Sequence, residues 1–341
     1  MYESYYGLTA KPFQLKPDPH FFYGSKGHKR AMAYLDYGLS QGEGFIVITG
    51  EIGAGKTTLM RSLFARLESD AIHAAQIVTT HVDSDDILRM VAAAFGLPFE
   101  DASKSVLLNR LEQFFRQCHA SGKRALLVVD EAQNLTPRAI EELRMLSNFQ
   151  TSEASLLQTF LLGQPEFRKT LLSGGMQQLV QRVIATYHLG PLDAAETREY
   201  IVHRLQTVGW QGTPAIADDA YAAIHAYSGG IPRRINTLCD RLFLMGYLEE
   251  LSAFGAGEVA SVIADIRQEF TLPAEVAEKS TQQRQGGDDE TTAPAPAEAL
   301  PVLENMNERL SKMERSVVSI LDAVKKIVST PRSRKTPEEE A

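Results

Sequence analysis

The sequence predicts an α/β fold: a five-stranded parallel sheet with helices on both faces, followed by a small all-helical domain. Three observations carry this reading. Short, nearly continuous apolar runs alternate with helix-like segments up to about residue 193, the pattern of buried parallel strands joined by crossover helices. One such run leads directly into the glycine-rich stretch ITGEIGAGKTTLMR and then into a helix-like sequence. From about 194 to 270 no strong strand pattern appears, and helix-like segments follow one another.

In chain order, strands are expected at FIVIT (45–49), AAQIVTTHV (74–82), ALLVVD (125–130), QTFLLG (158–163) and YHLGPL (187–192). Helices are expected between them at 56–67, 84–95, 105–121 and 137–149. The helical domain is read as 194–207, 217–227, 232–248 and 256–269. GGIPRR (229–234) supplies a break and a fresh start, with Pro232 suited to a first helical turn. The expected organisation is therefore a nucleotide-binding core over 1–193 and a helical lid over 194–270. A linker over 271–301 is rich in Pro, Ala, Gly, Gln and charge and has no aromatic residue, so it is expected to be disordered. A helix over 302–329 and a charged tail over 330–341 complete the chain.

Composition narrows the function. The 341 residues are 44% apolar, enough for a sizeable core. A net charge of −8 weighs against a protein coated by nucleic acid. Cys118 and Cys239 stand far apart and match no metal-ligand spacing, so they read as buried thiols in a reducing compartment. The opening MYESYYGLTAKPF lacks the basic-then-apolar layout of a signal peptide. No window reaches the ~18 apolar residues of a membrane span. The expectation is a cytoplasmic protein, at most peripheral to the inner membrane.

Gly50, Gly53, Gly55, Lys56 and Thr57 complete the pattern G-x-x-x-x-G-K-[ST], with a strand before it and a helix after it. Glycines let the backbone turn its N–H groups inward, and the helix start adds its dipole. Such a hollow suits phosphates. Gly50, Glu51, Ile52, Gly53, Ala54, Gly55, Lys56, Thr57 and Thr58 are the residues expected around it. Lys56 would neutralise the β- and γ-phosphates of ATP, and Thr57 would ligate Mg2+. ALLVVDEAQ supplies the next parts. Asp130 ends a buried strand, where a carboxylate is costly unless it serves a metal ion. Glu131 follows it at the carboxyl edge of the sheet, placed to act as general base toward water. DEAQ also occurs in helicase boxes, but no further helicase motif accompanies it here.

Gln164, just after TFLLG, stands where a polar side chain on the neighbouring strand would sense the γ-phosphate, or would be a simple strand-end amide. Arg182 precedes the fifth strand, and Arg233 and Arg234 open a helix of the second domain. Arginines can stabilise transition-state charge in cis or from a partner. Taken alone, each is also an ordinary surface ion-pair residue.

From Leu303 the apolar positions run Leu303, Met306, Leu310, Met313, Val317, Ile320, Val324, Ile327, alternating steps of 3 and 4. That narrow stripe suits a coiled coil. It leaves three readings open: docking on the chain's own domain, self-association or capture of a partner helix, and contact with a membrane surface through VKKIVSTPRSRK.

The strand–P-loop–helix, the DEAQ box, the QR ahead of strand five and the GGIPRRIN of a helical lid resemble an AAA+ ATPase, a P-loop NTPase. More narrowly, they are similar to the ExeA/GspA-type secretion ATPases and the related MshM of pilus biogenesis. The opening, with its Pro-Phe and HFFYGS, is similar to that group's amino terminus. Within it the chain looks most like the ATPase associated with exosortase/PEP-CTERM and exopolysaccharide loci. The resemblance covers about residues 1–270.

The resemblance implies roles at matching positions. Gly50 to Thr58 would be Walker A, and Asp130 and Glu131 Walker B. Gln164 would be sensor 1, Arg182 an arginine finger acting in trans, and Arg233 sensor 2, with Arg234 its rival. The segment from Phe21 to His28 would touch the adenine. A trans-acting finger implies a homo-oligomer, as a ring. Members of the group commonly continue into a membrane span and a peptidoglycan-binding module; neither is visible here, which implies a role through partner proteins. The leading expectation is a mechanochemical ATP-hydrolysing enzyme that supports secretion or polysaccharide export across the envelope. The alternatives are a nucleotide-gated DNA-binding factor, which the acidic balance disfavours, and an adaptor that binds ATP as a switch.

Overall fold

The runs FIVITG, ALLVVD and LQTFLLG are mostly apolar because they are covered on both faces. A computed structural model of the chain describes residues 1–270 apart from 68–70, 80–83, 153 and 174–175. The expected linker, carboxyl-terminal helix and tail, and the end of the second strand as read, lie outside the described residues. The strands are β1 (Phe45–Gly50), β2 (Ile72–Val78), β3 (Arg124–Asp130), β4 (Leu157–Gly163) and β5 (Val183–Leu189). They form one parallel sheet in the order β2-β3-β4-β1-β5. Strand β5 begins earlier than its sequence suggests. VIAT lacks the continuous apolar character of a central strand because β5 is an edge strand, with most side chains only half-buried.

Successive side chains of a strand point to opposite faces. Phe45 and Val47 of β1 therefore join one apolar cluster, and Ile46 and Ile48 the other. The first cluster is closed by α4 (Ser84–Ala94), α5 (Lys104–Ala120), α6 (Pro137–Leu146) and α7 (Pro165–Leu172). The second is closed by α2 (Lys26–Gln41) and α3 (Lys56–Arg66). Helices α2 and α7 have no counterpart in the expected set. The signals for α2 are present: Ser25 caps it by accepting from the His28 N–H, and Gly42 ends it in the left-handed region. Its polar surface residues dilute the apolar stripe of Ala31, Met32 and Leu35. The short helix α8 (Gln177–Val180) completes this half, while α1 (Tyr2–Tyr5) packs in the other.

The helical half holds α9 (Ala194–Thr207), α10 (Asp218–Ser228), α11 (Pro232–Leu248) and α12 (Ala256–Phe270). It is not wholly helical. A two-residue parallel ladder pairs β6 (Ala215–Ile216) with β7 (Ala253–Phe254). Such a short pairing leaves no periodic trace in a sequence. The helical run starts at Ala194, but the other end of the expected 1–193 core packs differently. Tyr2, Tyr6, Leu8, Phe13 and Phe21 are buried in the core of the helical half, not against the sheet. Their rings meet Phe243 and Phe254, with Tyr2, Tyr6 and Phe13 all within 6 Å of the Phe243 ring. The chain thus starts in the helical half, crosses to the sheet, and returns. The two halves form one compact unit. Among the described residues no helix is long and apolar enough to cross a membrane. Both cysteines are buried and unpaired.

Phe13 is 1% exposed and its ring centre lies 5.4 Å from that of Phe243. Phe13→Ala is expected to cost about 3–5 kcal/mol of stability, read as a lowered urea midpoint. A loss under about 1 kcal/mol would show that the amino-terminal segment is not part of this core.

Candidate active site

The loop from Glu51 to Gly55 joins β1 to α3 at the carboxyl edge of the sheet, where parallel α/β folds bind ligands. Two of its glycines are needed for their backbone. Gly53 has φ +83° and Gly55 φ +100°. Space forbids a side chain as well. A Cβ on Gly53 would fall 2.3 Å from Arg233 Cβ, and one on Gly55 would fall 2.7 Å from His28 Nε2. The Arg233 N–H donates to the Gly53 carbonyl at 3.2 Å, so the helical half rests directly on the loop. Gly55 is the N-cap of α3 and offers no side chain to its first N–H groups. Those donors are left for an anion.

Lys56 opens α3 and is only 6% exposed. Its Nζ donates to the carbonyls of Gly50 at 2.7 Å and Glu51 at 3.1 Å. Burial pushes its pKa down, and the nearby Glu131 and Asp130 carboxylates oppose that shift. Asp130, 3% exposed, accepts from the Thr57 hydroxyl at 3.0 Å and from the Glu131 N–H at 3.0 Å. Its pKa is raised by burial against both of those hydrogen bonds. The two groups are pushed in opposite directions by one cause: burial, which disfavours the charged form of each.

Glu131 has φ +56°, a conformation that costs a non-glycine residue on the order of 1–3 kcal/mol and concentrates at functional sites. Thr79 at the end of β2 holds that turn, its hydroxyl donating to the carbonyls of Asp130 at 3.0 Å and Glu131 at 2.7 Å. The Glu131 carboxylate accepts from the amide of Gln133 at 2.7 Å and from that of Gln164 at 3.4 Å.

A cavity of about 290 Å3 lies over this loop. Its floor is the P-loop with Lys56, Thr57, Thr58 and Glu131. One wall is a strap from Gln14 to Asp18 with Phe21, Phe22, Tyr23 and His28. The other comes from α9 and α11: Tyr200, Arg204, Pro232, Arg233 and Asn236. Arg204 is buried without a carboxylate among its hydrogen-bond partners. It donates to the Pro12 carbonyl at 2.6 Å and to the Tyr200 hydroxyl at 2.7 Å, and its guanidinium lies 4.8 Å from the Phe21 ring centre. It ties the strap to the helical half.

The structure brings together most of the residues singled out from the sequence. Ile52, Gly53, Gly55, Lys56, Thr57, Thr58, Glu131 and Arg233 line the cavity, and Phe21 to His28 contributes four residues to its wall. Gly50 ends β1, while Glu51 and Ala54 contribute backbone to the loop. Gln164 reaches the cavity only through Glu131. Arg234, one position beyond Arg233, is not among the lining residues. Arg182 lies elsewhere: just before β5, at the opposite edge of the sheet, its guanidinium donates to the carbonyl and hydroxyl of Ser147. Sequence reasoning missed the roles of Thr79 and Gln133 and missed the strap and Arg204. Gln133 is the last residue of DEAQ. Nothing local marks Arg204, one arginine among polar helix residues.

The donor set fits the groups the motif implies. A hydroxyl and a carboxylate 3.0 Å apart offer hard oxygens suited to Mg2+. A buried ammonium and uncapped helix N–H groups, reached from the cavity, suit phosphates.

The fold is of the AAA+ P-loop class: a five-stranded parallel sheet in this strand order with helices on both faces. Residues 39–171 match the model of an AAA domain. The particular relative is a secretion protein. The chain is 38% identical over 275 residues to general secretion pathway protein A of Aeromonas hydrophila, a match covering 80% of this chain and 50% of the relative. The chain thus spans about half the length of that protein. Among solved structures it is similar in fold to Cdc6p from Pyrobaculum aerophilum (TM-score 0.59, 17% identity, 76% of this chain and 73% of the other). It is also similar to the ADP form of ORC2 from Aeropyrum pernix (TM-score 0.57, 16% identity, 83% and 80%).

Gly55→Ala is expected to abolish nucleotide binding at millimolar concentration and to lower the melting temperature, since the new methyl meets both a forbidden φ and the His28 ring. Isothermal titration and a melting curve read the two effects. Unchanged affinity would show that the loop does not form the binding surface.

Proposed function

We propose that the chain is a Mg2+-dependent ATPase whose ATP lies between the sheet and the helical half. The observation that carries this is the convergence of Lys56, Thr57, Glu131 and Arg233 around one cavity, with Asp130 behind it accepting from the Thr57 hydroxyl. The loop N–H groups and the Lys56 ammonium hold the phosphates. When bound through Thr57 and Asp130, Mg2+ supplies neutralisation of phosphate charge. Glu131 takes a proton from water as the water oxygen bonds to the γ-phosphorus. The bond from that phosphorus to the β–γ bridging oxygen breaks, leaving ADP and inorganic phosphate. Gln164 and Arg233 sense the γ-phosphate from the sheet and the lid, with Arg233 preferred to Arg234 because it lines the cavity. The strap and the Phe21–His28 segment hold the adenine.

Arg182 donates to Ser147 and does not line the cavity, which supports assigning it a part in turnover in trans, in a homo-oligomeric ring. The likeness to general secretion pathway protein A supports work on an envelope secretion system. Within that reading we assign the chain to the exosortase-linked, polysaccharide-exporting branch, in the cytoplasm or at the inner membrane. The segment 302–329 joins copies or captures a partner helix.

Lys56→Ala is expected to lose ATP binding. Glu131→Gln is expected to keep binding and to lose turnover by about 100-fold or more. Phosphate release measured with each variant tests this, and wild-type rates in both defeat the reading. Stimulation by duplex DNA would favour the DNA-binding alternative.

The finger has its own test. Arg182→Ala and Glu131→Gln are each expected to be inactive, yet a mixture of the two should recover turnover. A mixed interface pairs an intact Glu131 with an intact Arg182. No recovery on mixing, with mixed oligomers verified by native mass spectrometry, rules out action in trans.

A further inference from the structure

The residue between Glu131 and the γ-phosphate sensor is Gln133, and no role has been assigned to it so far. It sits in a single 3-10 turn, Ala132–Asn134, directly after Glu131. Both ends of its amide are engaged. Nε2 donates to Glu131 Oε2 at 2.7 Å, and Oε1 accepts from the Gln164 N–H at 3.0 Å. The Gln164 amide reaches the same Glu131 oxygen at 3.4 Å. Three residues just past the ends of two neighbouring strands, β3 and β4, thus close a ring of hydrogen bonds around one carboxylate oxygen.

The chemistry of the ring leaves little freedom at this position. The Gln164 N–H requires an acceptor, and the carboxylate requires a donor. A planar amide supplies both from one side chain and in only one orientation, so the contacts themselves assign which end is nitrogen. A glutamate at 133 could not donate while ionised. A methionine would fill the space and make neither bond. Both amide contacts fall on Oε2, and Oε1 has no hydrogen-bond partner among the described residues. The carboxylate is held by one oxygen and presents the other.

We infer that Gln133 is a positioning residue for the attack on ATP: it fixes the Glu131 carboxylate by one oxygen and ties it to the Gln164 turn. The inference rests on the reading of Glu131 as general base. Glu131 already stands in a strained backbone conformation, and its side chain has rotamers to lose. A base that must meet water within hydrogen-bond reach gains from having that freedom removed beforehand. The tie to Gln164 also means that a shift of the β4 end moves the base with it.

The test is steady-state ATP turnover and nucleotide affinity for full-length Gln133→Ala and Gln133→Met. The methionine keeps the volume should the alanine variant fold poorly. Both are expected to lower kcat by about 10–100-fold, part of what a general base contributes, with KM for ATP and ADP affinity within about threefold of wild type. Adding Gln133→Met to Glu131→Gln is expected to leave the residual single-turnover rate unchanged, because the amide acts only through that carboxylate. Normal or faster kcat in both variants overturns the inference. So does a raised KM at unchanged kcat, or a further multiplicative loss in the Glu131→Gln background. In each case an inactive Glu131→Gln leaves the general-base reading standing, whereas wild-type turnover by Glu131→Gln itself removes that reading first.

Discussion

The structure depends on carrying one ammonium out of water. Lys56 is buried at the start of a helix, where the dipole is already positive, so its position is doubly unfavourable until an anion arrives. The fold meets this with the nearest acceptors it has, the carbonyls of Gly50 and Glu51, which belong to the loop that the lysine closes. The arrangement is self-consistent only if the loop folds back tightly. That in turn requires Gly53 and Gly55 at positive φ and a sheet edge that delivers β1 to this point. Asp130 and Thr57 face it from β3 and α3: the buried carboxylate accepts from one hydroxyl and one N–H and is favoured in its charged form by the Lys56 ammonium. The ammonium suits a polyphosphate, and the hydroxyl–carboxylate pair suits a hard cation.

The remaining walls come from the helical half. The strap leaves its aromatic residues in that half's core and passes over the cavity, pinned by Arg204. Arg233 touches Gly53 through both backbone and side chain, so α11 begins where the loop turns. A site built this way reports on its contents. What fills the cavity bears at once on the sheet edge, the strap and the first turn of α11.

Much of this was legible in the sequence because it is local. Continuous apolar runs fixed the central strands, and the spacing of three glycines, a lysine and a threonine fixed the loop. Glu131 and Asp130 followed from their place at a strand end. What could not be read was long-range or a matter of phase. Nothing in YYGLTAKPF says that its rings pack against Phe243, more than 200 residues away. Arg233 and Arg234 are equivalent as text, and only the angle at which α11 starts puts the first against Gly53. Edge strand β5 was shifted because half-buried residues carry a weak apolar signal. Helix α2 was overlooked although Ser25 and Gly42 bracket it, since its solvent-facing residues outweigh its narrow apolar stripe. Gln133 was in view but had no reason to matter until Gln164 lay opposite it.

The route of the chain has a mechanical meaning. The backbone passes between the two halves twice, once just before α2 and once just before α9. These passages are stapled to each other: the Lys26 N–H donates to Glu196 at 2.8 Å, and the Lys26 ammonium pairs with Asp193 at 3.5 Å. Two covalent connections fastened at one spot keep the sheet and the helical half in register beside the cavity that both of them line.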